Sequence, residues 1–163
     1  MAQILNLKKY IAVNLLGLIL FIVDRILKLY FLKNPAKILG GDFFSGLFSF
    51  QLARNSGIAF GVPFNYWLLL ILTILVIFIL VSFLLKAYRQ QKFLEVFTLT
   101  LIIVGAISNL IDRLRFGFVI DYIDAPWFTV FNLADCLITF GVGILVLGFL
   151  KKKKTSDGAS QTL

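Results

Sequence analysis

Residues 68–85 read LLLILTILVIFILVSFLL, a run without a single charge. A helix of this length and polarity can cross the hydrocarbon core of a bilayer, and a soluble core does not need one. Hydrophobic residues make up 60% of the chain, and the apolar runs predict spans at about 11–32, 66–85, 93–114 and 131–150. The sequence therefore predicts an α-helical integral membrane protein with four transmembrane helices, all within a single membrane domain of residues 1–163.

The basic residues predict an orientation for these spans. Lysine and arginine are enriched in the cytoplasmic loops of membrane proteins. Here they cluster at the N-terminus, between spans two and three, and in the tail: Lys8, Lys9, Lys86, Arg89, Lys92 and the lysines of 151–154. We expect both termini in the cytoplasm, a cytoplasmic basic tail at 151–163, and no nucleic acid among the partners.

The segment between spans one and two, about residues 33–65, differs from the rest of the chain. It contains Pro35, Pro63, several glycines and short aromatic runs. Such a composition favours short strands and turns over a helix. The segment is predicted to lie outside the membrane, on its surface or packed over the helix ends.

The composition also limits the chemistry. There is no histidine, and Cys136 is the single cysteine. Histidine is the commonest metal ligand and general base, so zinc sites and Ser-His or Cys-His catalysis are nearly excluded. No metal or cofactor is expected, and Cys136 is interpreted as a packing residue.

Polar side chains recur at helical spacing near the same predicted end of three spans. Residues three or four apart share a helix face. The aligned sets are Asp24 with Lys28, Asn109 with Asp112 and Arg113, and Asn132 with Asp135. Polar groups in a bilayer are costly and turn toward partners or water, so these stripes are predicted to converge on one cavity.

Two interpretations of these residues stay open. Asp24–Lys28 and Asp112–Arg113 are as well explained as structural salt bridges. Asp121 and Asp135 are not, because the remaining cations on that side, Arg25 among them, are expected to extend to water. Two carboxyl groups held close together share one proton, and such an acid and base can activate water for peptide hydrolysis.

Four blocks of sequence carry a family resemblance. They are DRILK (24–28), RNSGIAFG (54–61), GAISNLIDRLRFGFVIDYID (105–124) and FNLADCLI (131–138). In this order, with four spans, they resemble the bacterial lipoprotein signal peptidases, also called signal peptidase II. The resemblance covers nearly the whole chain except the lysine-rich tail.

The resemblance implies an intramembrane aspartic endopeptidase that removes the signal peptide of prolipoproteins, cutting just before a cysteine that carries a diacylglyceryl group. By position, Asp121 and Asp135 correspond to the catalytic pair. Residues that match positions supporting this pair or binding the substrate backbone are Asn55, Asn109, Arg113, Asn132, Asp24 and Lys28. Asp112 and Asp124 match positions for which structural hydrogen bonding is expected.

The resemblance also implies a location and partners. Residues 33–65 would form a small extracytoplasmic β half-barrel, a cradle resting on the membrane beside the active site. The enzyme would lie in the bacterial cytoplasmic (inner) membrane with its site near the extracytoplasmic face. Its partners would be a diacylglyceryl-modified prolipoprotein and membrane lipids, and a monomer would be sufficient.

Other functions fit buried carboxylates as well. A proton-coupled transporter or channel also carries them, although such proteins usually have inverted repeats and mid-membrane helix breaks. A membrane assembly factor could use the same polar stripes to bind partner helices. An intramembrane protease of the presenilin kind would need a GxGD motif, which the nearest sequence here, residues 39–42, lacks.

Overall fold

The computed structural model describes the backbone of residues 2–35, 42–43, 47–58 and 62–160, and the side chains of residues 7–35, 47–58 and 62–151. The helices are α1 (Ala2–Lys33), α2 (Tyr66–Arg89), α3 (Phe93–Phe116) and α4 (Leu133–Ser160). The strands are β1 (Asp42–Phe43), β2 (Phe48–Asn55) and β3 (Val119–Asp124).

Each of the four helices contains a stretch long and apolar enough to cross a membrane. These stretches are Leu7–Lys33, Tyr66–Arg89, Phe93–Phe116 and Leu133–Lys151. A helix satisfies all backbone hydrogen bonds within the segment, as hydrocarbon requires. The predicted membrane fold of four helices is confirmed, and the chain is a multi-pass membrane protein.

The helices at the two termini are longer than their apolar runs. Helix α1 begins at Ala2, before the predicted start near residue 11, and α4 continues through the lysines to Ser160, past the predicted end at 150. Lysine is a good helix former, so a helix need not end where its apolar run ends. Residues 161–163 of the predicted tail lie outside the described residues.

The three strands form one antiparallel sheet in the order β1-β2-β3. Strand β2 comes from the segment between spans one and two, whereas β3 follows α3. Ala53 of β2 lies opposite Asp121 of β3. The prediction confined the cradle to residues 33–65, whereas its sheet also includes β3, a strand from a distant segment. Residues 36–41, 44–46 and 59–61 of that range lie outside the described residues.

Helix α3 is the centre of the bundle. In the most apolar stretch of this helix 56% of the residues are buried, against 11–17% in the corresponding stretches of the other spans. It packs against α1, α2 and α4. Gly105 allows a close approach to α4, because a Cβ at this position would clash with the backbone oxygen of Ala134. The backbone of α3 thus meets the first turn of α4.

Aromatic stacking attaches the sheet to α1. The rings of Phe31 and Tyr122 stack in parallel with centroids 4.6 Å apart, and both side chains are buried. At the end of α3, Gly117 adopts the left-handed conformation with φ 82° and donates its N–H to the Arg113 carbonyl at 2.9 Å. A glycine adopts this φ without strain, so the chain can leave α3 and enter β3 within two residues.

Candidate active site

Asp121 lies in the middle of β3 with only 2% of its surface exposed. Its Oδ1 accepts a hydrogen bond of 2.6 Å from Nδ2 of Asn132. In the sheet, Ala53 pairs with Asp121 and Asn55 pairs with Val119. Residues two apart on a strand share a face, so Asn55 lies on the same face as Ala53 and Asp121. The strand therefore presents this carboxyl toward the start of α4.

Asp135 lies in the first turn of α4, where it forms a reciprocal cap with Asn132. The Asn132 side-chain oxygen accepts the Asp135 N–H at 2.9 Å, and the Asp135 Oδ2 accepts the Asn132 N–H at 3.3 Å. This is the arrangement of a capping box, with Asp at the position where Glu or Gln is usual. The same local contacts that begin the helix fix the position of its carboxylate.

Two asparagines connect the carboxyl groups. Asn109 of α3 donates its Nδ2 to Asp135 Oδ1 at 2.8 Å. The Asn109 oxygen accepts from Nδ2 of Asn132 at 3.3 Å and from Nζ of Lys28 at 2.7 Å. Asp121, Asn132, Asn109 and Asp135 thus form one continuous network, with the Lys28 ammonium at its edge.

Both carboxyl groups line one cavity of about 460 Å³. Asn55, Asn109 and Arg113 line it as well, together with aliphatic and aromatic side chains. Of the stripes predicted to converge on one cavity, Asn109, Arg113 and Asp135 line it, whereas Asp24, Lys28, Asp112 and Asn132 are not among its lining residues. A peptide segment entering this cavity would meet two carboxyl groups, two amides and one guanidinium.

Burial dominates the proton affinity of Asp121. Removal from water, followed by the nearby negative charge of Asp135, raises the pKa of Asp121 from an ordinary value near 3.8 to about 7. Both effects disfavour a second negative charge in the cavity. At neutral pH the Asp121 carboxyl is therefore available as a proton donor.

Arg113 lies beside the carboxyl groups and is only partly satisfied. Its Nη2 donates to the Gly57 carbonyl at 3.3 Å, while its buried Nε finds no partner among the described residues. The Asp112–Arg113 salt bridge, one of the two interpretations left open above, does not form among the described residues: Asp112 pairs with Arg25 and Lys28 instead. Adjacent residues of a helix point to different faces, which separates Asp112 from Arg113.

A buried ionic cluster lies under the network. The predicted Asp24–Lys28 pair is present at 3.4 Å, and Lys28 is also 2.8 Å from Asp112. Arg25 was expected to extend to water, but its Nη1 contacts Asp112 at 2.6 Å. This expectation was wrong because the partner, 87 positions away in the chain, becomes its neighbour only after α1 packs on α3.

Asp24 contributes to the site through α4. Its Oδ1 accepts the backbone N–H of Ala134 at 3.0 Å, and its Oδ2 accepts from the Ser108 hydroxyl. Tyr122 acts similarly, because its hydroxyl oxygen accepts the N–H of Leu133 at 3.1 Å. Burial raises the pKa of Tyr122 well above its usual value, so this hydroxyl stays protonated.

Ser108, Tyr122 and Arg25 were missed as supporting residues. Ser108 could have been found, since it is one turn from both Asp112 and Gly105 on the polar face of α3. No sequence pattern indicated Tyr122, because its partner is the backbone N–H of Leu133, which lies next to β3 only in the folded chain. Asp124, expected to make a structural hydrogen bond, accepts one from Ser49 at 3.2 Å.

An apolar groove of about 620 Å³ opens next to the cavity. Phe128, Phe131, Asp135 and Thr139 line both spaces, so the groove and the cavity are contiguous. Trp127 and residues of α4 also line the groove, and its lining is almost entirely apolar. A ligand with a hydrocarbon part could occupy the groove while its polar part reached the carboxyl groups.

The sequence matches known proteins along most of its length. A family model described as signal peptidase (SPase) II matches residues 16–151. A lipoprotein signal peptidase of Bartonella quintana is 45% identical over 148 residues, covering 85% of this chain and 87% of that protein. One from Halothermothrix orenii is 35% identical, covering 89% and 99%. A third, from Pseudomonas putida, is 35% identical, covering 87% and 88%.

Solved structures resemble the fold over a similar range. One, described as a bacterial membrane enzyme structure at 2.3 Å resolution, has a TM-score of 0.78 and 28% identity, covering 88% of this chain and 90% of that one. A second of the same description, at 1.9 Å, has a TM-score of 0.74 and 29% identity, covering 86% and 93%.

Proposed function

Because the chain belongs to the signal peptidase II family, which cleaves signal peptides from lipoproteins, we propose that Asp121 and Asp135 are its catalytic pair. One observation carries the proposal: Asn132 donates hydrogen bonds to both carboxyl groups, which line the same cavity. Membership of a peptidase family also decides against the transporter interpretation.

The proposed reaction needs one ionised and one protonated carboxyl. The carboxylate accepts a proton from a water as the water oxygen attacks the scissile carbonyl carbon. The carboxylic acid gives its proton to the carbonyl oxygen, which forms a tetrahedral diol. The proton taken from water then passes from the first carboxyl to the leaving amine as the C–N bond breaks, and one diol hydroxyl returns its proton to the second carboxylate as the new carboxyl group forms. General acid and base catalysis of this kind contributes roughly 10²–10⁴-fold for each group.

Arg113 and the cavity amides are proposed to bind the substrate backbone. Arg113 lines the cavity beside the carboxyl groups, and its guanidinium can donate to a peptide carbonyl there. Asn55 lines the same space from β2. Its side-chain oxygen accepts the Gly57 N–H at 3.0 Å, so its amide NH₂ is the group that hydrogen-bonds Asp121, and that NH₂ has a second N–H for a peptide carbonyl. These contacts would hold an extended peptide with its scissile bond facing the pair.

The proposed substrate is a prolipoprotein whose cysteine carries a diacylglyceryl group, cut just before that cysteine. The apolar groove that adjoins Asp135 supports this proposal, because hydrocarbon held there would hold the modified cysteine near the pair. Acyl chains contribute about 0.8 kcal/mol per buried methylene. An unmodified precursor would lose this contribution.

The proposed location is the bacterial cytoplasmic (inner) membrane, with both termini in the cytoplasm. Lys86, Arg89 and Lys92 lie at the turn between α2 and α3, at the opposite end of α3 from Asn109. The positive-inside rule then orients the carboxyl pair toward the extracytoplasmic face. Since all residues of the site come from one chain, a monomer would be sufficient.

The test uses purified protein reconstituted in lipid, with a diacylglyceryl-modified precursor and its unmodified twin. Asp121→Asn and Asp135→Asn should each lower cleavage of the modified precursor by about 1,000-fold or more. Asp124→Asn, a carboxylate on the same strand that hydrogen-bonds Ser49, is the matched control and should retain activity. Full activity of either pair variant would refute the catalytic assignment, and equal cleavage of both precursors would refute recognition of the lipid.

A further inference from the structure

The hydrogen-bond network makes the two carboxyl groups unequal. We propose that Asp135 is the ionised member that takes the proton from water, that Asp121 is the protonated member, and that Lys28 positions the base through Asn109. This inference rests on the proposed catalytic pair. It adds an assignment of the proton and a role for a residue that touches neither the cavity nor Asp135.

The surroundings of Asp135 favour a negative charge. Both of its oxygens accept N–H groups, Oδ1 from Asn109 at 2.8 Å and Oδ2 from the Asn132 backbone at 3.3 Å. It also lies in the first turn of α4, where the helix dipole stabilises an anion. Donors of this kind bind the carboxylate and have nothing to offer the acid form.

The surroundings of Asp121 favour a negative charge less, although side-chain amides donate hydrogen bonds to it as well. It lies on a strand and so gains nothing from a helix end. Its nearest polar neighbours are the side-chain amides of Asn132 and Asn55, and only 2% of its surface is exposed. Burial and the charge of Asp135 raise the pKa of Asp121 to about 7, in the direction that the geometry requires. Of the two groups, Asp121 is therefore the one that keeps the proton.

Lys28 decides which way the Asn109 amide faces. Its ammonium group can only donate, and it lies 2.7 Å from the Asn109 side-chain oxygen. That oxygen must therefore face α1, which turns the NH₂ group toward Asp135 at 2.8 Å. Without the ammonium group only the longer contact from Asn132 Nδ2, 3.3 Å, would hold this oxygen, and the amide could rotate and present its oxygen to the carboxylate, which would repel the charge.

The other charged and titratable groups around the pair complete the electrostatic description. Those from each packed element are Asp24 and Lys28 of α1, Asp112 and Arg113 of α3, Tyr122 of β3 and Cys136 of α4. Arg25 and Lys28 together balance Asp24 and Asp112. Removing Lys28 therefore leaves one uncompensated negative charge next to the base as well as a free amide. Both changes favour protonation of Asp135.

Arg25 provides a matched control for Lys28. Both cations pair with Asp112, at 2.6 and 2.8 Å, but only Lys28 contacts Asn109. Arg25→Met and Lys28→Met each remove one cation, leave Asp112 with the other, and leave the cluster with one excess negative charge. A role limited to charge balance would move the acid limb alike in both variants, whereas a positioning role would move it further in Lys28→Met.

The first experiment measures kcat/KM against pH for the reconstituted enzyme and both variants, with the modified precursor. Lys28→Met should lower kcat/KM by about 10-fold or more and move the acid limb of the profile up by about one pH unit. Arg25→Met leaves the same excess negative charge but keeps the Asn109 contact, so it should lower thermal stability and move the acid limb clearly less than Lys28→Met does. An acid limb that stays in place in Lys28→Met, or moves equally in both variants, would overturn the positioning role.

The second experiment observes the proton directly and does not depend on a stable Lys28 variant. Infrared spectra at about pH 5, above the usual carboxyl range and below the pKa of Asp121, report the C=O stretch of protonated carboxyl groups. The band should be present in the wild-type protein, lost in Asp121→Asn and retained in Asp135→Asn. Any other pattern overturns the assignment. If instead both variants cleave the precursor, it is the catalytic pair itself that fails.

Discussion

The Asp24 carboxylate of α1 accepts a hydrogen bond of 3.0 Å from the backbone N–H of Ala134, the second residue of α4. The two residues are 110 positions apart in the chain. Since Asp135 is the next residue, the contact holds the first turn of α4, and with it one of the two cavity carboxylates, against the first helix. Asp24 is thus a structural support for the site that never enters the cavity.

Replacing Asp24 should therefore destabilise the bundle and weaken the site together. Asp24→Ala removes the Ala134 contact and one partner of the buried Lys28. Breaking a buried ion pair costs about 3–5 kcal/mol, so a large drop in unfolding temperature in detergent is expected, with slower cleavage. The comparison is Asp124→Ala, which removes a single partly buried hydrogen bond to Ser49. Similar losses in the two variants would contradict the role given to Asp24.

Gly105 should not tolerate a larger residue. A Cβ there would lie 2.4 Å from the Ala134 oxygen and 2.8 Å from Ile138 Cγ1, so Gly105→Ala must push α3 and α4 apart. Overpacking of this kind costs about 1–3 kcal/mol, and a shift of α4 also moves Asp135 away from Asn109. Both the unfolding temperature and kcat should fall.

Gly143 is the matched control for that substitution. It also lies in a membrane helix, but a Cβ at this position meets nothing within 4 Å. Gly143→Ala should leave cleavage unchanged and raise helix stability by up to about 1 kcal/mol. Wild-type unfolding temperature and kcat in Gly105→Ala would show that the helices do not approach as closely as described.

The raised pKa of Asp121, about 7, predicts a pH dependence of activity. Since Asp121 supplies a proton in the proposed reaction, cleavage should fall as pH rises through about 7. The measurement is kcat/KM between about pH 5 and 9, which reports the free enzyme. A basic limb that begins well above pH 7 would assign the proton donor to another group.

The same pKa predicts a pH dependence of stability with a definite sign. The folded state holds the Asp121 proton up to about pH 7, whereas the unfolded state releases it near 3.8. Between these values the folded state binds more protons, so this contribution to stability is complete below about pH 4 and is lost as pH rises toward 7. Unfolding temperatures should show this decline, and Asp121→Asn should reduce it. An equal decline in that variant would contradict the prediction.

Arg113 should affect substrate binding more than folding. Its Nη2 contacts the Gly57 carbonyl at 3.3 Å, and its Nε has no partner in the described part of the chain. Lysine cannot reproduce the planar set of donors, so Arg113→Lys should lower kcat/KM by about 10–100-fold at nearly unchanged unfolding temperature. Arg115→Lys, two positions on, is the control, because Arg115 lies over the Phe116 ring at 5.4 Å and does not line the cavity. Equal effects of the two changes would argue against a substrate contact.

The sequence predicted the helices well for a physical reason. A run such as 68–85 has few alternatives in hydrocarbon, because a helix satisfies every backbone group within the segment. Helical spacing likewise predicted the Asp24–Lys28 pair, since both partners lie on one turn of one helix. Strand β3 was missed because its hydrogen-bond partners in β2 lie some seventy residues earlier, and no local pattern reports such pairing.

By itself, then, the sequence determined four membrane helices, the family, and the crowding of polar residues toward one end of the bundle, since these follow from local composition and spacing. Only the tertiary structure decided which of those residues meet. Arg25 reaches Asp112, and Lys28 orients Asn109, because α1 packs against α3. Asn132 links Asp121 to Asp135 because β3 ends beside the first turn of α4. Hydrogen bonds and ion pairs act over a few ångströms, so partners far apart in the chain are specified by packing and cannot be read from spacing along it.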